Sequence, residues 1–308
     1  MGDKTRYYIP SRVVPVGGLI QTVIAGTVAG CFGDALYSVL NFYNPFIYIN
    51  ILATIGFGVV VGGCVTWGST RGHIRFPGLT HVMAIGTSVV GIYFSWIVYI
   101  FFLSGDEGIV VVDPISLASV VQTLANLGVW DIKGMQPTGW QLYACWGVEA
   151  ALICGFAYSS GGGCDKPYCE DCGKWTTAEE HITQLSLAPD QEIRIALEDE
   201  DYGILTNLAT EEINDAHFLD VSVHSCDSCE NSNYMSLDRV AITINSKNEV
   251  ETATENVVKS IIVPRALTVG LVELAKSQAD DETLDEDNGT IDESEEADES
   301  NEAAADDV

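Results

Sequence analysis

Long apolar runs fill the first half of the chain. Past about residue 160 the pattern changes to short alternating stretches. A helix needs about 20 mostly apolar residues to cross a hydrocarbon core about 30 Å thick. Runs at 14–40, 47–67, 79–103 and 140–158 meet that length almost without charge. Tyr43, Phe46, Tyr48, Trp67 and Trp140 sit near their ends, where amphipathic rings anchor at an interface. The pattern predicts four transmembrane helices rather than the buried helices of a soluble protein. Small residues recur four apart, at Gly26 and Gly30, Gly58 and Gly62, and Gly91 and Ser95. That spacing puts them on one helix face and lets backbones approach closely, in a compact bundle or a homo-oligomer of it.

Between the third and fourth runs lies an outer loop, 104–139. Asp113-Pro114 is a strong helix start, with Asp as N-cap and Pro at the first helical position. Ile115, Ala118, Val121, Leu124 and Ala125 follow at helical spacing, and Gly128 can close the last turn. Beyond 160, the stretches 218–224 and 234–245 read as two strands of a hairpin. The segment 218–263 as a whole reads as the core of a small sheet, with a helix over 266–275. Residues 176–217 read as a helical insertion exposing Glu179, Glu180, Glu211 and Glu212.

Charge divides the chain at the same place. Residues 1–159 carry six basic and seven acidic side chains, and residues 160–308 carry eight and 37, out of a net −30. A surface this acidic repels phosphate backbones and excludes nucleic acid as a partner. It is also a composition suited to high salt. The last segment, 277–308, has 15 acidic residues, no basic ones and no aromatics, a composition that stays solvated and disordered. Lys4, Arg6 and Arg12 precede the first run, and Arg71 and Arg75 separate the second from the third. Only Lys133 lies on the opposite side, among Asp106, Glu107, Asp113 and Asp131. The positive-inside rule then predicts that both termini are cytoplasmic. Val28-Ala29-Gly30-Cys31 resembles a lipobox, which would lipidate Cys31, but apolar sequence continues past it to Leu40.

Ionisable groups within spans are costly and mark functional candidates. Glu149 falls near the middle of the fourth run with no Lys or Arg at similar depth. Asp34 lies nearer the outer end of the first, where hydration is easier. A carboxyl at Glu149 can relay protons, hold a cation, or bond a neighbouring helix.

Nine cysteines split by region. Cys31, Cys64, Cys145 and Cys154 fall in the apolar runs, where a thiol acts as a small apolar group. The others form Cys164-x4-Cys169-x2-Cys172 and Cys226-x2-Cys229. Paired C-x2-C knuckles are the signature of a tetrathiolate zinc site, because a two-residue spacer lets a tight turn aim both sulfurs at one ion. Cys169, Cys172, Cys226 and Cys229 are the predicted ligands, with Cys164 and His224 as alternatives. The 53 residues between Cys172 and Cys226 exceed the 15–20 of a compact two-pair motif. Redox exchange between the thiols is the competing chemistry.

The knuckle Pro167-Tyr168-Cys169-Glu170-Asp171-Cys172-Gly173 resembles the first knuckle of zinc-ribbon proteins. Together with Arg6-Tyr7-Tyr8-Ile9-Pro10 and the stretch from Asn44-Pro45-Phe46 to Gly58, the chain resembles a type of uncharacterised bacterial inner-membrane protein. The resemblance implies an architecture and brings no activity. The expected fold class is an α-helical membrane bundle of four transmembrane helices, then a small α+β zinc-ribbon-like soluble domain and a disordered acidic tail. Its parts are a cytosolic N-terminal segment (1–12), the membrane domain (13–159), a cytosolic cysteine-rich domain (160–276) and the tail (277–308). No P-loop, GxGxxG, HExxH, catalytic triad or internal repeat is present. The expected function is non-enzymatic: contact with the lipid bilayer, and a protein partner for the zinc-stabilised cytosolic domain. Two alternatives remain open, a small ion or proton channel or transporter using Glu149, and a membrane-bound thiol oxidoreductase.

Overall fold

A computed structural model describes residues 6–43, 47–129, 136–210, 213–214, 216–246, 248–273 and 275. The expected disorder of 277–308, and Lys133, Asp131, Glu211 and Glu212, lie outside the described residues. The chain forms two compact units, one of Pro10–Asp165 and one combining Met1–Ile9 with Lys166–Val308.

The first unit holds α1 (Val16–Tyr43), α2 (Ile47–Arg71), α3 (Pro77–Leu103), α4 (Pro114–Leu127) and α5 (Trp140–Ser160). Four of these, all but α4, are long and apolar enough to cross a membrane. Cys31 lies inside the unbroken α1. Packing neighbours run α1–α2–α5–α3 around the bundle, with α2 and α3 also in contact. The polarity is inverted relative to a soluble bundle. Thr22, Ser38, Thr54, Ser69, Thr87 and Ser88 are buried, while Val16, Ile20, Phe32, Leu36, Leu52, Val82 and Val148 point outward. Buried hydroxyls bond to carbonyls one turn back, as Thr22, Thr54 and Thr87 do, so these hydroxyls need no water. Apolar side chains outside and small polar ones inside are what a lipid solvent selects.

The small-residue pairs stand at the close approaches. A Cβ on Gly58 would lie 2.6 Å from the Ile153 carbonyl oxygen, and one on Gly62 2.4 Å from that of Ala157, both where α2 meets α5. The loop helix α4 forms as its caps predict. Asp113 Oδ2 accepts from the Ser116 amide at 2.7 Å, and Gly128 ends the helix at φ 73°. That bond pulls the Asp113 carboxyl below its ordinary value. Leu117 and Leu124 of α4 pack with Ile97 and Ile100 of α3 and beside Trp96 and Trp146.

The second unit is a four-stranded antiparallel sheet, β3 (Thr177–Leu185), β4 (His217–Ser225), β5 (Asn233–Ile244) and β6 (Val250–Ile262), in the order β3-β4-β5-β6. Its other elements are a short hairpin of β1 (Tyr168–Cys169) and β2 (Lys174–Trp175), helices α6 (Asp190–Glu198) and α7 (Gly203–Thr210), and α8 over 265–273. The predicted hairpin and sheet core correspond to β4, β5 and β6. The expected helical insertion needs correction: its first part is strand β3, and among its described residues only α6 and α7 are helical. Where β3 pairs with β4 beyond its bulge, buried Thr183 and Leu185 alternate with exposed Gln184, and β-branched Thr177 and Thr183 suit a strand. Glu179 and Glu180 are exposed, as expected. Leu185, Ile193, Leu197, Leu219, Met235, Leu237 and Ile261 form the fully buried centre between sheet and helices.

The N-terminal segment also belongs to this unit. Tyr7 bridges Ile261, the Tyr8 amide donates to the Ser260 carbonyl at 2.9 Å, and the Ile262 amide donates to the Arg6 carbonyl at 2.7 Å. Arg6 pairs with Glu200 at 3.1 Å, and the Tyr7 hydroxyl donates to Glu198 Oε1 at 2.7 Å. Backbone groups along β6 that would otherwise form an open edge are thus paired.

Candidate metal centre

Two turns carry the four thiols. The first lies in the β1–β2 hairpin, where the Gly173 amide donates to the Cys169 carbonyl at 2.9 Å and Gly173 takes φ 65°. That left-handed backbone is the one expected of a glycine directly after the second cysteine. The second turn joins β4 to β5, closed by the Cys226 amide donating to the Ser232 carbonyl at 3.0 Å.

Sheet register, not sequence spacing, brings the turns together. β3 begins just after the first turn and β4 ends just before the second, with Thr177 opposite Ser225. This pairing spans the 53-residue gap. Side chains then tie one turn to the other: Lys174 Nζ donates to Ser228 Oγ at 3.2 Å, Asn231 Nδ2 to Asp171 Oδ2 at 3.2 Å, and Thr177 Oγ1 to Asp227 Oδ2 at 2.7 Å. Arg265 donates to the Cys229 carbonyl at 3.1 Å, fastening α8 to the second turn.

The sulfurs of Cys169, Cys172, Cys226 and Cys229 all lie within 4.8 Å of one another. Those of Cys169 and Cys229 are 3.5 Å apart, well beyond the ~2.05 Å of a disulfide. Four sulfurs at about 2.3 Å from a tetrahedral zinc sit about 3.8 Å from each other. The group therefore fits one metal ion. Cys169 and Cys226 are 0% and 3% exposed, so access from the sheet side is closed. Burial opposes ionisation of Cys169, but hydrogen bonds from Ser232, the Cys172 amide and the neighbouring thiols outweigh it and bring the thiol down to about 7. Cys172 is pushed up to about 12, first by its hydrogen bond to Cys229, then by burial and its other sulfur neighbours. Closely packed thiols share protons in this way until a cation replaces them.

His224 is not one of the four-membered group. It lies on β4, and burial pushes its imidazole down, aided by the charge of Lys166. Cys164 falls in the other unit.

The two intramembrane carboxyls occupy different settings. Asp34 is fully buried against Gly91 of α3 and Phe57 of α2, and neither carboxylate oxygen has a hydrogen-bond partner. The expectation of easy hydration there fails, because α1, α2 and α3 close over it. Glu149 lines a cavity of about 70 Å³ among α1, α3 and α5. Sequence reasoning missed that four aromatic rings, Tyr37, Trp96, Tyr99 and Trp146, share the cavity's walls with it. The signal was the spacing Trp96-x2-Tyr99 together with Trp146-x2-Glu149, each pair on one helix face.

The fold and site define a four-helix protein of membrane-spanning character carrying a small sheet domain with a four-cysteine cluster. Comparison with protein-family models, with curated proteins and with solved structures finds no match.

Proposed function

We propose that this chain is a bacterial inner-membrane protein with both termini in the cytoplasm, whose cytosolic domain is held together by one structural zinc and docks a protein partner. The observation that carries the reading is the convergence of four thiols from two turns. Four thiolates fill a tetrahedral ion's coordination, which leaves no position for substrate and makes the metal a staple. The domain's small core depends on such a staple. Zinc fits the all-sulfur donor set and a reducing compartment.

The docking role draws on the β5–β6 hairpin. Its proximal half is buried, whereas its tip is exposed on both strands, at Thr243 and Ile244 of β5 and Val250 and Glu251 of β6. Ile244 and Val250 face each other across the strands at 68% and 67% exposure, flanked by Glu249 and Glu251. An apolar tip rimmed by carboxylates fits a partner presenting an apolar patch bordered by Lys or Arg. A photocrosslinker at position 244 of the full-length protein tests this. The expected result is a specific adduct that disappears in Val250→Lys while the zinc content stays unchanged. Absence of any specific adduct in several bacterial hosts argues against docking.

Thiol oxidoreductase chemistry is the competing reading. It requires a reversible Cys169–Cys172 disulfide, which thiol trapping in cells detects. Trapping that finds only protected thiolates removes it. Four mutually close sulfurs, rather than one accessible pair, favour the metal.

A further inference from the structure

We infer that the cavity around Glu149 is a binding site for a small organic cation, an alkylammonium head group, independent of the cysteine centre. The cavity lies inside the membrane unit and is lined by Tyr37 and Ser38 of α1, Trp96 and Tyr99 of α3, and Trp146 and Glu149 of α5. All six fall in the half of the bundle nearer the α3–α5 connection, because α1 and α3 are near their C-terminal ends there and α5 near its start. Helix α4 packs beside Trp96 and Trp146.

Three observations select the ligand's chemistry. Glu149 has no hydrogen-bond or ionic partner among the described residues, and the four long helices contain no Lys or Arg except Arg71 at the end of α2. Its counter-charge must therefore be a proton or come from outside. The aromatic walls set the second constraint. Trp96 meets Trp146 at 4.8 Å and 85°, and Tyr99 at 6.0 Å and 85°. Edge-to-face contacts fix the orientation of these rings, and any ring face turned to the cavity attracts a weakly hydrated cation, most strongly where water is excluded.

The third constraint is the scarcity of oxygen. A hard inorganic cation needs a shell of about six oxygens. Here the lining side chains offer the two Glu149 oxygens and the hydroxyls of Tyr37, Ser38 and Tyr99, fewer than that shell needs, and Tyr37 is already engaged with Thr54. One carboxylate among rings suits an alkylammonium group instead. The volume, about 70 Å³, is room for a few waters or one small head group.

The test uses full-length protein in nanodiscs. Choline and its uncharged carbon isostere, 3,3-dimethyl-1-butanol, are titrated while tryptophan fluorescence is followed. Saturable choline binding is expected, at least tenfold tighter than the isostere. Glu149→Gln and Trp146→Leu should each weaken it at least tenfold, and Glu149→Asp less than Glu149→Gln. Helical content and thermal unfolding of each variant establish that the bundle is intact. Equal binding of choline and the isostere would overturn the inference. So would no saturable choline binding, or saturable sodium or potassium binding in its place. Because zinc content is scored separately, failure here leaves the metal reading standing, and the converse also holds.

Discussion

Cys164 and Cys172 lie eight residues apart in the sequence, yet their loss should have different consequences. Cys172 is one of four sulfurs lying within 4.8 Å of one another, and Cys164 is not in that group. Replacing a supporting residue around a bound metal already costs 10–100-fold in affinity, so Cys172→Ser should weaken zinc binding by more than about 100-fold. Cys164→Ser should leave metal content unchanged. Competition with a chromogenic chelator measures both, and equal losses would mean that Cys164 is a ligand. Tyr7 gives a second test at this scale. Its phenol is raised to about 12 by burial first, then by the hydrogen bond to Glu198 and that carboxylate's charge. The fold thus keeps the protonated form. Its contribution is complete below the ordinary tyrosine value of about 10 and is lost as pH rises through about 12. Tyr7→Phe should cost about 0.5–1 kcal/mol near neutrality, the range of a single partly exposed hydrogen bond. It should also flatten the decline in stability between pH 10 and 12. Denaturant unfolding across that pH range checks both.

Helix packing decides what happens at adjacent glycines of α2. A Cβ on Gly62 would meet the Ser160 hydroxyl at 2.1 Å and the Ala157 carbonyl oxygen at 2.4 Å, whereas one on Gly63 meets nothing within 4 Å. The backbone oxygen cannot step aside without moving α5. Gly62→Ala should therefore destabilise the full-length protein by about 1–3 kcal/mol, the usual cost of overpacking. Gly63→Ala should be neutral or gain up to about 1 kcal/mol from helix propensity. Thermal unfolding in detergent distinguishes them. The glycine spacing was legible in the sequence because a period of four on an apolar helix has one geometric meaning. The α4 caps were legible for the same kind of reason, since Asp-Pro and Gly act on their own backbone. Strand β3 was not. Its alternation is broken by a bulge between Glu179 and Thr183, with His181 at φ 55°, and its pairing partner lies some 40 residues away. Nothing local announces such a strand.

At the level of the whole molecule, the sharp change of pattern near residue 160 foretold two kinds of structure, and the paired knuckles foretold four neighbouring sulfurs. What stayed hidden was long-range. The segment Arg6–Ile9 reads only as part of an N-terminal segment before the first span, yet it supplies backbone pairing to β6. Only the sheet's open edge explains why. The aromatic cavity was hidden likewise, because Tyr37, Trp96 and Trp146 come from three separate helices. The proposed structural staple of four cysteines is tested most directly by the metal content of full-length protein purified without added metal, with thiols counted before and after chelation. The expected result is about one zinc per chain, with four of the nine thiols protected until chelation also unfolds the sheet domain. Protein free of metal, with a reversible disulfide among those cysteines and the sheet intact, would contradict it.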